Sequence, residues 1–237
     1  MEASAKRAQK FPMPTAPQVT KIGIIGTGNM GRALGTGWAQ AGHDVFFGSR
    51  NPAKAREAAG EFAQSGGFDD AAAFASVVLY TVRDVLPSNL LRQPEMLTDK
   101  VVIDCTNSAI LGLEVPDPQG RSGVHFETPV PSRAERLAAD IPHARVVKAF
   151  NAIPGSVIEL GFEKLRANAV PVFLCADDEH AKSTVKRLAE DLGFIGLDSG
   201  RLEHANVVEG AADFLRLQIV AMGLGGFATL AIKIVSQ

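Results

Sequence analysis

The fold is decided by residues 21–31, which read Lys21-Ile-Gly-Ile-Ile-Gly-Thr-Gly-Asn-Met-Gly31. The first five residues predict a short buried strand, and apolar residues at helical spacing over 29–40 predict a helix directly after it. Between them, Gly26, Gly28 and Gly31 form a G-x-G-x-x-G motif in the strand–turn–helix context that the motif requires. Such glycines allow a tight turn, the approach of a pyrophosphate and close helix packing. The stretch predicts a dinucleotide-binding turn, against the alternative of a turn that serves packing alone.

Strand and helix patterns alternate through the rest of the chain. Apolar runs predict further strands at 44–47, 76–82, 101–104, 145–150, 170–176 and 194–197. Helices are predicted at 53–63, 132–139 and 178–192, with a helix-like stretch at 85–91. Residues 108–131 hold four prolines and three glycines without periodicity, and predict a long loop. The alternation implies βαβ units, so we predict an α/β fold: a Rossmann-type, doubly wound, mostly parallel sheet covered on both faces.

The composition is that of a globular protein with one large domain, with or without a small appendage. Of the 237 residues, 46% are hydrophobic and 21% charged, which excludes a disordered chain. The 24 Lys and Arg residues against 26 Asp and Glu residues argue against a nucleic-acid-binding surface. Only Cys105 and Cys175 are present, which excludes a disulfide scaffold and favours a cytoplasmic location. The five scattered histidines argue against a metal site.

The two ends of the chain carry different signals. Residues 1–20 are polar and then rich in proline, where a signal peptide would need an apolar stretch, and they predict a flexible tail. Residues 219–232 contain no charge over fourteen positions. Because a membrane-spanning helix needs about 20 apolar residues, we expect this run to be buried in the core or in a dimer interface. A membrane contact is the alternative.

The choice between NAD and NADP depends on Gly48-Ser-Arg-Asn51, at the end of the second predicted strand. An NAD site carries an acidic residue there for the ribose hydroxyls, and this chain has none. Arg50 can instead hold a 2′-phosphate through a charge-assisted fork, while Ser49 and Lys54 can contact the same anion. The pattern therefore favours NADP, and a solvated basic turn is the alternative.

Six stretches of the chain together resemble one known family. They are residues 21–31, 47–54, 146–154, 170–178, 197–202 and 225–235. On these motifs, among them Phe47-Gly-Ser-Arg-Asn-Pro-Ala-Lys54 and Val146-Val-Lys-Ala-Phe-Asn-Ala-Ile-Pro154, the chain resembles the NADP-dependent oxidoreductases that use coenzyme F-420, an 8-hydroxy-5-deazaflavin. The resemblance covers about residues 21–235. The chain is also similar to the cytosolic NADPH-binding domain of membrane ferric reductases.

The resemblance implies a single domain over residues 21–237, with a small C-terminal extension from about residue 200, in a protein that is often a homodimer. It also implies a set of cofactor-binding residues. The pyrophosphate is expected at Thr27, Gly28, Asn29 and Met30, within the turn from Gly26 to Gly31, and the 2′-phosphate at Ser49, Arg50 and Lys54. The ribose and nicotinamide are expected beside Thr81, Val82 and Asn107, and the stacked ring beside Ala152, Ile153 and Gly155.

The reaction that the resemblance implies is a direct hydride transfer between NADP(H) and a stacked coenzyme F-420 or flavin. Such a transfer depends on the proximity and orientation of the two rings and strictly requires no general acid, so no catalytic residue is assigned. Arg83 and residues 105–108 depart from what relatives commonly carry, where the second substrate is expected. Two alternatives stay open: a flavin or ferric reductase module with a membrane partner, and a non-catalytic NADP-sensing protein.

Overall fold

The computed structural model describes residues 18–107, 131–233 and 235. The predicted N-terminal tail lies outside the described residues apart from residues 18–20. The predicted loop at 108–131 lies outside them apart from Pro131.

Within the described residues, the strands form one sheet in the order β3-β2-β1-β4-β5-β6-β7-β8. The strands are β1 Lys21–Ile25, β2 Asp44–Gly48, β3 Gln64–Gly66, β4 Val77–Tyr80, β5 Val101–Asp104, β6 Arg145–Lys148, β7 Pro171–Ala176 and β8 Ile195–Asp198. All neighbouring strands pair in parallel except β6 and β7, which are antiparallel. The predicted Rossmann-type, mostly parallel sheet is confirmed.

Helices connect most of these strands. They are α1 Asn29–Gln40, α2 Pro52–Ala59, α3 Phe68–Phe74, α4 Arg133–Asp140, α5 Gly155–Ile158, α6 Phe162–Ala167, α7 Glu179–Glu190 and α8 Ala205–Val220. The helix expected to reach residue 63 ends at Ala59, because Gly60 adopts a φ of 54°. The helix-like stretch at 85–91 contains only a 3-10 turn at Pro87–Asn89. The short elements β3, α3, α5 and α6, and the longer α8, were not predicted.

The order of the strands fixes where a ligand can bind. The chain winds outward from β1 to β3 and then crosses back to β4, so β1 and β4 are adjacent with their connections leaving in opposite directions. In doubly wound sheets the resulting crevice lies at the carboxyl ends of the strands. The glycine-rich turn after β1 therefore lies at this crevice.

Both faces of the sheet are covered by helices. On one face, Trp38 of α1 donates a hydrogen bond from Nε1 to the carbonyl of Leu188 in α7 at 2.9 Å. Its ring meets Phe150 edge-on, with 5.8 Å between the ring centroids. On the other face, Tyr80 packs in a second cluster with Leu137 of α4. These contacts hold the strand ends at fixed positions.

The segment after α8 is exposed. Several large apolar side chains keep most of their surface accessible: 63% for Met222, 63% for Leu224, 66% for Phe227 and 72% for Ile232. Ser156 Oγ donates a hydrogen bond to the carbonyl of Gly226 in this segment. The expectation that residues 219–232 lie in the core is therefore wrong for most of the run, and the dimer interface stays a prediction. Across the ranges described, no helix combines the length and apolarity that crossing a bilayer would demand.

Candidate functional site

A cleft of about 550 Å³ lies at the carboxyl ends of β1, β4, β5 and β6. The turn after β1, the loops after the other three strands and one face of α8 line it. The lining residues are Gly28, Asn29, Met30, Thr81, Arg83, Cys105, Thr106, Asn107, Asn151, Ala152, Ile153, Pro154, Gly155, Ala212, Leu215, Arg216 and Ile219. The crevice that the topology requires is therefore an open cavity large enough for a cofactor-sized ligand.

The three glycines of the turn do not all serve the same purpose. Gly26 has a φ of 111°, and a Cβ there would lie 2.3 Å from Thr81 Oγ1. A Cβ on Gly31 would lie 2.1 Å from the carbonyl oxygen of Gly26. A Cβ on Gly28, by contrast, would meet no atom within 4 Å. Packing thus explains Gly26 and Gly31, whereas Gly28 leaves open space in front of the backbone.

The N-terminus of α1 faces the cleft without a protein anion in its first turn. Its N-cap is Gly28, which makes no side-chain cap, and the first turn holds no acidic residue. Asn29 and Met30, the first two helical residues, line the cavity. Free N–H groups and the positive end of the helix dipole suit an anion at this position.

A basic corner lies beside the turn, at the end of β2. Ser49 Oγ lies 3.5 Å from Thr27 Oγ1, so residues 22 positions apart in the sequence meet here. Asn51 caps α2 by accepting from the backbone N–H groups of Ala53 and Lys54. The side chains of Arg50 and Lys54 are exposed, and among the described residues neither has an ion-pair partner. Both positive charges are therefore available to a ligand.

Thr81 and Val82 lie next to the glycine turn, on the side of β4. Thr81 Oγ1 donates to the carbonyl of Ile25 at 3.0 Å, so its hydroxyl proton is used within the protein. Val82 is half-buried against the second apolar cluster and does not line the cavity. Thr81 also lines the cavity, so its expected contact with the ribose stays a prediction, as does that of Val82.

Two asparagines connect the loops after β5 and β6. Asn107 Nδ2 donates to the carbonyl of Asn151 at 2.8 Å, and Asn151 Nδ2 donates to Asn107 Oδ1 at 2.9 Å. Asn151 also donates to the carbonyl of Val208 in α8. Asn107 therefore keeps one N–H and one oxygen lone pair for a ligand, in an orientation fixed by Asn151. The sequence identified Asn107 but not its partner.

The segment after β6 forms a small apolar wall. Ala152 and Ile153 are each 5% exposed and line the cavity. Gly155 begins α5, and a Cβ there would lie 3.8 Å from the Cβ of Asn29, an ordinary contact. The structure thus brings the segment against the first residue of α1, as expected for two ligands that share one cleft.

The opposite wall, on α8, was missed by the sequence analysis. Four of its residues line the cavity, namely Ala212, Leu215, Arg216 and Ile219. Their spacing of three, one and three places them on one helical face. That periodicity was present in the sequence, but it does not reveal which strand ends the face would meet.

A buried ion cluster lies beneath the cleft. Lys148 Nζ lies 2.9 Å from Asp104 Oδ2 and 2.7 Å from Glu209 Oε1, and all three side chains are at most 3% exposed. Glu209 also accepts from the backbone N–H groups of Arg133 and Ala134, at the start of α4. The cluster therefore ties β5, β6, α4 and α8 to one another.

The titratable groups of the site do not form a catalytic acid–base pair among the described residues. Burial raises the pKa of Cys105 to about 12, so its thiol remains protonated at neutral pH. Burial also raises the pKa of Asp213 to about 6, although Arg216 opposes the shift. Within the ranges that the structure covers, no group of three His, Cys, Asp or Glu side chains could hold a metal ion. The site is built to hold and align ligands.

Comparison with known proteins points to one family. Residues 21–108 match the family model described as NADP oxidoreductase coenzyme F420-dependent. The chain is 31% identical to the F420-dependent NADP reductase of Methanothermobacter thermautotrophicus over an alignment of 207 positions, which covers 81% of this chain and 85% of that protein. It is 32% identical to Metalloreductase STEAP3 of Rattus norvegicus over 192 residues, 81% of this chain. It spans only 36% of that metalloreductase.

Solved structures agree on the fold. A crystal structure from Arthrobacter sp. FB24, named as an F420-dependent NADP reductase, covers 90% of this chain and 100% of its own, with a TM-score of 0.71 at 25% identity. An imine reductase from Bacillus cereus covers 84% of this chain and 59% of its own, with a TM-score of 0.58 at 18% identity. At that identity, the second likeness concerns the fold alone.

Proposed function

Since the chain belongs to the family of coenzyme F-420-dependent NADP oxidoreductases, we propose that it transfers a hydride between NADP(H) and a deazaflavin or flavin. The observation that carries this proposal is the cleft itself, in which the open space at Gly28 and the apolar wall at 152–155 face each other. Hydride transfer needs two rings held in contact, and one cavity lined by both of these features suits that need.

The residues of the first half fit NADP. The backbone N–H groups of Asn29 and Met30 would hold the pyrophosphate, with Gly28 leaving room for it. Ser49, Arg50 and Lys54 would hold the 2′-phosphate, since the two cations have no other ion-pair partner among the described residues. When bound, NADPH supplies the hydride and needs no protein nucleophile.

The second half would align the acceptor ring. Ala152, Ile153 and Gly155 offer a small apolar surface beside the start of α1, and Asn107 offers one donor and one acceptor at its edge. In this role the chain orients the rings. No side chain needs to give up a proton during the hydride transfer, because the reduced ring can take up its proton from solvent at the open side of the cleft.

The acceptor is tested by mixing the protein and NADPH with coenzyme F-420, FMN, FAD or ferric chelates. We expect loss of NADPH absorbance with F-420 or a flavin. Absence of turnover with every acceptor, together with tight NADPH binding, would favour an NADP-sensing protein.

The cofactor preference is tested by calorimetry. NADPH should bind at least about tenfold more tightly than NADH, and Arg50→Ala should reduce that ratio.

A second candidate is a ferric or flavin reductase module. The similarity to Metalloreductase STEAP3 favours it, since this chain corresponds to 36% of that protein. This candidate requires ferric chelates to be reduced through a flavin, with a membrane partner for the full reaction. Reduction of F-420 alone, without flavin or ferric turnover, would exclude it.

We also propose a cytoplasmic homodimer built from one domain over residues 21–237, with its C-terminal extension from about residue 200 in the interface. Exposed Leu224 and Phe227 support the interface, because an apolar surface of that kind is normally covered. The two buried free thiols suit a reducing compartment. Light scattering without detergent should give a dimer, and Phe227→Asp should shift it to monomer. A wild-type monomer would contradict the interface.

A further inference from the structure

Two arginines face the cleft from opposite walls. Arg83 follows β4, and Arg216 lies on α8, yet both line the same cavity. Burial lowers the pKa of Arg216, Asp213 opposes the change, and the positive charge of Arg83 lowers the pKa further. The two guanidinium groups are thus close enough to repel each other.

Neither guanidinium is held by a partner in the part of the chain that the structure describes. There, Arg83 and Arg216 have no hydrogen-bonding or ion-pair partner, although Arg216 is half-buried. The nearby Arg133 behaves differently, since it pairs with Asp84 at 2.8 Å and donates to Thr106 Oγ1 at 3.0 Å. Arg133 therefore has a structural role. Arg83 makes no such contact, and Arg216 is attracted by Asp213 without a direct ion pair, so neither guanidinium has its hydrogen-bonding groups occupied within the described residues.

Arg83 is exposed and Arg216 is half-buried, and two like charges that line one cavity repel each other unless an anion joins them. The pyrophosphate and the 2′-phosphate of NADP already have the α1 N-terminus and the basic corner in the proposed function. We propose that Arg83 and Arg216 bind an anionic group, a phosphate or a carboxylate, on the second substrate. This inference rests on the proposed function and narrows the class of its acceptor.

The surroundings of Arg216 define the rest of that class. Leu215 and Ile219 lie on the same face of α8 and offer apolar surface beside the charge. A fitting substrate therefore has a flat apolar ring for the wall and an acidic arm for the arginines. FMN and coenzyme F-420 have both parts. Riboflavin, and the F-420 chromophore without its acidic side chain, have the ring but no acidic arm.

The test compares each acidic ligand with its uncharged counterpart. Fluorescence titrations in saturating NADP⁺ should show that FMN binds at least about tenfold more tightly than riboflavin. Arg83→Gln and Arg216→Gln should each lower the affinity for FMN by about tenfold and leave the affinity for riboflavin within about twofold of wild type. Arg216→Lys should lose less FMN affinity than Arg216→Gln. Coenzyme F-420 and its chromophore without the acidic side chain should differ in the same way.

The matched control is Arg92→Gln, which removes an equal charge on a side chain that is 84% exposed and lies outside the cleft.

Several outcomes would overturn the inference. Equal affinities for FMN and riboflavin, or loss of both in the arginine variants, would show that no anion is bound there. A parallel loss of NADPH affinity would assign the arginines to the dinucleotide. If riboflavin and FMN bind and react equally well, the anion site fails while the proposed hydride transfer stands. If FMN and F-420 both bind through the arginines but neither accepts a hydride from NADPH, the proposed transfer fails while the anion site stands.

Discussion

The two halves of the cleft are built in different ways. The first half comes from one continuous stretch, residues 26–31, with the basic corner at the end of β2 beside it. Its geometry depends on close contacts at Gly26 and Gly31 that are possible only because these residues have no Cβ. The second half comes from residues 105–107, 151–155 and one face of α8, which are far apart in the chain.

This difference decides what each half can tolerate. In the first half a single methyl group at a glycine changes the turn or its ligand. In the second half the walls depend on the buried Lys148, whose ion pairs join β5, β6 and α8 from below. We therefore expect steric changes to disrupt the first half and changes of buried charge to disrupt the second.

The largest expected effect is that of Lys148→Met. The substitution leaves Asp104 and Glu209 as buried carboxylates without their cation, which costs about 3–5 kcal/mol. Urea unfolding monitored by circular dichroism measures the loss. Hydrogen exchange should accelerate in residues 101–107 and 145–151 more than in 21–31.

The control for this variant removes an exposed charge. Arg92→Met breaks the pair with Asp69, in which the Arg92 side chain is 84% exposed, and should change stability by roughly 0–1 kcal/mol. If Lys148→Met cost no more than Arg92→Met, the second half would not depend on the buried cluster.

Gly28→Ala is expected to act on the ligand rather than on the fold. The new methyl group meets no protein atom within 4 Å, and Gly28 has a φ of −76°, which alanine readily adopts. It would occupy the space proposed for the pyrophosphate. We expect NADPH affinity to fall about thirtyfold, or about 2 kcal/mol, with a melting temperature within about 2 °C of wild type. Calorimetry measures the NADPH affinity, and thermal unfolding measures the melting temperature.

Gly31→Ala provides the matched comparison. Its methyl group would approach the carbonyl of Gly26 to 2.1 Å, so this variant should lose stability by about 1–3 kcal/mol and NADPH affinity with it. An unchanged NADPH affinity in Gly28→Ala would show that the pyrophosphate does not bind at the glycine turn.

The same difference explains what could be predicted from the sequence. The turn at 26–31 and the helix predicted at 132–139 are local patterns, and the structure has both, the helix as α4. The sheet followed from the alternation of strands and helices. The short β3 and α3 were missed because three and seven residues carry too little periodicity.

The second half could not be predicted because its contacts are not local. Asn107 and Asn151 are 44 positions apart, and only the adjacency of β5 and β6 brings them together. Lys148 and Glu209 are ordinary charged residues in the sequence. Their pairing becomes apparent only when α8 is folded back over the strand ends, which no periodicity specifies.

Gly155→Leu separates the two halves by function. Gly155 does not adopt a left-handed conformation, and a Cβ there makes an ordinary contact, so a side chain does not strain the backbone. A leucine would extend into the space proposed for the acceptor ring. We expect acceptor turnover to fall about tenfold or more, with NADPH affinity within about threefold. Gly155→Ala, the control, should stay near wild type. A parallel loss of stability and of NADPH affinity would show that position 155 serves the fold.

The smallest expected effect is that of Asp213→Asn, on α8. Burial raises the pKa of Asp213 from 3.8 to about 6 in the folded protein, and its Oδ1 has no hydrogen-bonding partner among the described residues. Between these two values the folded state keeps a proton that the unfolded state has lost. The free energy of unfolding therefore falls as the pH rises from about 4 to about 6, and the loss is complete above that range.

A neutral asparagine removes this penalty, but it also removes the attraction that Asp213 exerts on Arg216. We expect Asp213→Asn to be about 1 kcal/mol more stable than wild type near pH 8 and equal to it near pH 4. Urea unfolding across this range measures the difference. Asp198→Asn is the opposite control, because the N–H of Gly200 and the charge of Lys182 lower the pKa of Asp198. That variant should be less stable at neutral pH and approach wild type as the pH falls. If both variants changed stability with the same pH dependence, α8 would carry no buried-charge penalty of its own.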